Sequence, residues 1–235
     1  MNWSTLILCL FAAVLKVSSV ALKSKPTTSV FSTDNALQTS DLEKGGWQMV
    51  FRAASGNGDS VYDAWLKGTK TNADKPVSMK RSLALHYRNP IVDNWPQLGV
   101  KYVKFAFYDE DKEVAQVTFD GTNSDIKTWF AKQNVLTSSW PDLTSTQSYN
   151  HFSIDGHNNN NLQDRRFFIN KLYAGCPKDL GYLVVINSET PAYCLWDKHA
   201  TYPQFLYSKV TSVDYWDRRM FGTADFMAIF IKRSV

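Results

Sequence analysis

Two short stretches of this chain, residues 182–186 (YLVVI) and 226–231 (FMAIFI), are apolar on both parities. A strand with one wet face alternates apolar and polar side chains, whereas a run without alternation suits a strand covered on both faces. Neither run approaches the 18 or so apolar residues needed to cross a bilayer. The fold therefore has to bury these segments within itself.

Residues around them point to further strands. Val103, Phe105 and Phe107 alternate with Lys104 and Ala106, and beyond the acidic tip DEDKE the residues Ala115, Val117 and Phe119 alternate with Gln116 and Thr118. That is the pattern of an antiparallel hairpin. Asp109, Glu110, Asp111 and Glu113 at its tip lack the glycine and terminal glutamate of a helix-loop-helix calcium site and read as a solvated turn. Strands are also expected at 47–52, 152–154, 165–173, 182–187, 205–210 and 225–232. Two short helices are expected. One covers SVYDAWLKG, with Ser60 as cap and Gly68 as stop; the other spans 124–136, where Ile126, Trp129 and Phe130 follow Ser124 at helical spacing. Helices are too scarce for a regular strand-helix-strand alternation, so the expected fold is mainly β, a sandwich of two mostly antiparallel sheets.

Residues 1–21 carry an apolar core from Leu6 to Leu15, with Ser19 and Ala21 at the positions three and one before a cleavage point. This reads as a secretory signal, and Lys16 breaks the run before it is long enough to anchor in a membrane. Residues 22–44, rich in Ser and Thr, read as a flexible lead-in, and 45–235 as one globular domain. Cleavage removes Cys9 and leaves Cys176 and Cys194, an even pair in an exported chain and hence a disulfide. The bond closes a loop worth about 3 kcal/mol of unfolded-chain entropy.

Loss of Lys16 with the leader leaves 25 basic and 22 acidic side chains, a net charge of +3. That is too mild and scattered for a nucleic-acid surface, and Arg165–Arg166 and Arg218–Arg219 read as solvated faces or carboxylate partners. His86, His151, His157 and His199 belong to no metalloprotease, nucleophile-elbow or phosphate-loop motif, so no catalytic residue and no cofactor is assigned. The most distinctive polar segment is DGHNNNNLQD. Its Asp155, His157 and Asp164 are the candidate ligand-binding residues, because carboxylate, imidazole and amide groups recognise sugar hydroxyls or calcium. Trp95, Trp140 and Trp196 lie in loop contexts where an indole either stacks on a sugar ring or packs on the sandwich.

Residues 45–68, GGWQMVFRAASGNGDSVYDAWLKG, resemble the opening of fibrinogen-related lectin domains, in which a Gly-Gly-Trp strand precedes a short Trp-bearing helix. The second cysteine pair of that family is absent. The motifs GWQ-VFR, RRFFIN, GCPKDLGYLVV and ADFMAIF are together similar to secreted proteins of marine invertebrates found in extracellular and calcified matrices. The resemblance implies no activity and no functional residues. The expected function is that of a secreted, non-enzymatic component of an organic, skeletal or shell matrix, with matrix macromolecules or polysaccharide as partners and no membrane span. The alternative is a secreted carbohydrate-binding recognition protein.

Overall fold

The two apolar runs lie at the centres of two sheets. The computed structural model describes residues 37–80, 85–159, 163–191, 194–216 and 220–234. The leader, the lead-in as far as residue 36, part of the asparagine run and Arg218–Arg219 lie outside the described residues.

The first sheet draws on β1 (Gln48–Ala54), β2 (Thr71–Asn72), β3 (His86–Arg88), β4 (Val100–Asp109), β5 (Lys112–Asp120) and β6 (Val135–Ser138). The second uses β7 (His151–Ser153), β8 (His157–Asn158), β9 (Asp164–Leu172), β10 (Leu180–Ile186), β11 (Gln204–Ser208), β12 (Asp214–Tyr215) and β13 (Phe221–Ala224). The last strand, β14 (Phe226–Arg233), returns to the first sheet. The orders are β2-β3-β1-β14-β4-β5-β6 and β13-β11-β10-β9-β7, with β12 beside β10 and β8 beside β9. Among the described residues, only the short β2–β3 pair is parallel. The fold is the antiparallel-rich β-sandwich expected from the sequence.

Both apolar runs are covered on both faces, as their composition requires. Inward, Met227, Ile229 and Ile231 of β14 join Leu183 and Val185 of β10 in one core. Outward, Ala228 and Phe230 lie under Trp47, Met79 and Leu42, while Val184 and Ile186 lie under Trp196, Trp216 and Cys194. Aromatic rings bridge the sheets, Phe105 stacking on Phe167 at 5.5 Å and Phe107 on Phe205 at 5.6 Å. The predicted hairpin has the register its alternation implies, with Val103 opposite Phe119, Phe105 opposite Val117 and Phe107 opposite Ala115.

Helix α2 (Val61–Lys67) forms where expected: the Ser60 hydroxyl accepts the Asp63 N–H, and Gly68 closes the helix with φ of 68°. The other α-helix is not at 124–136 but at α1 (Thr39–Leu42), so ordered structure is already present in the stretch read as a flexible lead-in. Residues 124–136 instead form turns and a 3-10 segment, Lys132–Asn134. The reason is local. The Asp125 carboxylate accepts the N–H groups of Lys127 and Thr128, a side-chain turn that competes with helix. The Ile126 carbonyl, which a helix would use internally, accepts both the Trp65 and Trp129 indole N–H groups.

Replacing Phe105 by Ala should cost about 3–5 kcal/mol, the usual range for emptying a buried aromatic site, because the ring also contacts Phe107 and Phe130. Chemical denaturation measures the loss. A cost below about 1 kcal/mol would mean that these rings do not join the sheets.

Candidate functional site

The three residues singled out in the polar loop do not converge on one solvent-facing site. Asp155 is exposed, its side chain retaining 54% accessibility, and pairs with Lys127 at 2.7 Å while accepting the Tyr62 hydroxyl. Burial alone would raise its pKa, but the Lys127 and Tyr62 bonds outweigh that and hold the carboxyl below the usual range. Asp164 keeps only 14% exposure; it accepts Arg166 Nε at 2.6 Å, Asn187 Nδ2 at 2.9 Å and the Ser188 hydroxyl at 2.6 Å. At the head of β9 its oxygens serve as acceptors within the fold. Arg166 links the two acids, since its Nη1 donates to the Asp155 carbonyl at 3.0 Å.

These groups form a seam. Asn187 donates to Asp164 and to Ser60, and its amide oxygen accepts the Tyr62 N–H. Two cations stand near the Tyr62 ring, Arg166 at 4.0 Å and Lys127 at 5.8 Å from its centroid, a favourable arrangement for an aromatic face. The seam ties α2 to β9 and to the end of β10. Arg165 and Arg166 are both carboxylate partners, to Asp197 and Asp164 respectively. Among the described residues, no three His, Cys, Asp or Glu side chains stand close enough together to hold a metal ion.

His157 belongs elsewhere. It pairs with Arg165 across the β8–β9 ladder and stacks on His151 at 4.9 Å, close to the Tyr173 ring at 5.3 Å. The tight turn before it needs Gly156, whose φ is 60°; a Cβ there would stand 2.0 Å from the Arg165 carbonyl oxygen. His157 thus borders a layer over the outer face of the second sheet.

That layer is held by the Cys176–Cys194 bond. The bond joins the β9–β10 loop, which carries Asp179, to the segment that carries Trp196 and Asp197. Phe221, Trp216 and Trp196 stack in sequence at 4.3 and 5.0 Å, and the Arg165 guanidinium caps the column 4.0 Å above Trp196. Arg165 Nε donates to Asp197 Oδ1 at 3.0 Å and Nη2 to Oδ2, a buried bidentate pair. Beneath the column Gly181 is required, since a Cβ would meet the Trp216 ring at 2.1 Å.

Four buried polar atoms in this layer have no hydrogen-bond partner among the described residues: Arg165 Nη1, Trp196 Nε1, Asp179 Oδ2 and His157 Nδ1. Such atoms are uncommon in native interiors. Arg165 acts electrostatically on both Asp179 and His157. Burial raises the Asp179 pKa against the pull of the Ala174 N–H and Arg165, and lowers that of His157.

Trp95, Trp140 and Trp196 are buried at 2%, 2% and 7% exposure, so these indoles pack on the sandwich and present no open face to a sugar. The sequence reading missed the partnership of Arg165 with Asp197, 32 positions apart. The one signal for it was that Cys176 and Cys194 stand just before Asp179 and Trp196–Asp197.

Compared with protein-family models, curated proteins and solved structures, the chain matches none of them.

Burial, reinforced by His157 and Arg165, pushes His151 down to about 4. The ordinary value in an unfolded chain is about 6.5. Between these two values the unfolded chain binds more protons than the folded one, so this contribution is present above pH 6.5 and lost as pH falls toward 4. Urea midpoints at pH 7 and pH 4.5 should therefore fall less for His151→Phe, which preserves stacking on Phe168, than for the unsubstituted protein. Equal falls would contradict the burial of a neutral imidazole.

Proposed function

We propose that the chain is a secreted, non-enzymatic component of an organic extracellular matrix, retained there by contact with polysaccharide or other macromolecules. The observation that carries this reading is the Cys176–Cys194 bond, because such bonds persist in oxidising compartments and are rare in reducing ones. It restrains a layer built from the column of rings, the buried Arg165–Asp197 pair and Asp179, an investment in durability more than in motion.

The four histidines are engaged within the fold. His86 contacts Asn57 and the Asp59 carbonyl, and His199 the Trp196 carbonyl; His151 and His157 stack on each other. Burial lowers the pKa of all four.

Fractionation of the producing tissue tests the matrix reading. The protein is expected in the washed extracellular fraction, beginning at Leu22, with no thiol that alkylates before reduction. Recovery from the cell lysate, beginning at Met1 and with Cys176 and Cys194 alkylated, would contradict it.

A further inference from the structure

At one end of the first sheet, β4 begins and β14 ends side by side, with Tyr102 opposite Lys232 and Val100 opposite Arg233. Two adjoining cavities of about 410 and 560 Å³ open there and share Thr122 and Ser234. The larger is walled by Lys101, Tyr102, Lys232 and Arg233. The smaller adds Asn123, Ser124 and the turns at Gly99 and Gly121. Among the described residues, no aspartate or glutamate lines either cavity.

Three cations line one cavity here. Several cations elsewhere stand against acids: Lys104 on Glu113, Lys75 on Glu43, Lys127 on Asp155 and Arg166 on Asp164. Lys101, Lys232 and Arg233 have no carboxylate within 4.0 Å among the described residues. Asp120 feels the field of Lys101, but its carboxylate is engaged by the Thr122 N–H at 2.9 Å. Three unneutralised cations thus stand at the ends of two adjacent strands, beside hydroxyl and amide groups and one ring, Tyr102, with the Lys101 ammonium 5.2 Å from its centroid.

We propose that this cleft docks a stretch of acidic polysaccharide, its sulfate or carboxylate groups on Lys101, Lys232 and Arg233 and its hydroxyls on Thr122, Asn123 and Ser234. Cations aligned with a cavity raise the local concentration of an anionic ligand and steer its approach. The hydroxyl and amide walls suit a sugar backbone. Single-stranded nucleic acid would call for a series of exposed aromatic platforms, whereas Tyr102 is the one accessible ring here, since Trp95 is buried and donates its indole N–H to Ser124. The choice of ligand rests on the matrix reading, but the binding is a property of the purified protein and is tested without reference to where the protein resides.

The test is affinity of the purified full chain for heparin, with neutral dextran and duplex DNA as comparison probes. Lys101→Ala/Lys232→Ala/Arg233→Ala should weaken heparin binding about tenfold or more and flatten its salt dependence. Lys171→Ala/Lys178→Ala/Lys198→Ala, removing three cations outside the cleft, on β9 and the loops beyond it, should change it by no more than about twofold. Ser234→Trp, which fills the cleft and leaves every charge in place, should also lose heparin, with thermal melting confirming that each variant folds. Equal losses from the two triple variants, undiminished binding by Ser234→Trp, or dextran or DNA bound as tightly as heparin would each overturn the proposal. None of these results bears on compartment or thiol state, so this inference and the matrix reading fail independently.

Discussion

The structure depends on β10 and β14 being covered on both sides. Each runs through the middle of its sheet, with backbone paired to a neighbour on either edge and side chains buried above and below. Their inner faces meet in the shared core. Their outer faces create the second requirement, because Phe230 on one and Val184 and Ile186 on the other would otherwise lie in water at a cost of roughly 1.5–3 kcal/mol for each large side chain. The two layers outside the sandwich meet that requirement: Trp47, Met79 and α1 over the first sheet, and the disulfide-held aromatic column over the second.

The second layer is chemically the more unusual. Covering an apolar sheet face with Trp196, Trp216 and Phe221 needs no charge, yet the layer contains Arg165 and Asp197, both almost fully buried. A buried ion pair contributes little to stability relative to apolar packing, although removing one partner costs about 3–5 kcal/mol. The pair fixes a place: Arg165 on β9 determines where the segment after Cys194 lies, and the disulfide fixes the other side of the same segment. The unpaired atoms beside it are the cost of packing so many polar groups under one cover.

How much of this was legible depended on whether the determining contact was local. The β4–β5 hairpin was readable because its alternation and its turn are contiguous, and the outcome followed residue by residue. Helix α2 was readable because Ser60 and Gly68 are signals within one helix length. The segment after Ser124 misled because Ile126, Trp129 and Phe130 have helical spacing, while the indole of Trp65, 61 positions away, claims the Ile126 carbonyl. Asp155, His157 and Asp164 looked like one site because they are neighbours in sequence. A strand places successive side chains on opposite faces, and this sent His157 to the outer layer and Asp164 into the seam. The grouping of Lys101, Lys232 and Arg233 was not legible at all, since 131 positions separate Lys101 on β4 from Lys232 on the β14 strand that completes the cleft.

Native-state hydrogen exchange tests the central claim most directly. The amides of Val184, Val185, Ala228 and Ile229 should exchange only through global unfolding and be the slowest in the protein, while those of the edge strands β2 and β6 exchange through local opening. Exchange of the β10 or β14 amides at edge-strand rates would contradict the account, because it would mean that the layers outside the two sheets do not hold these strands in place.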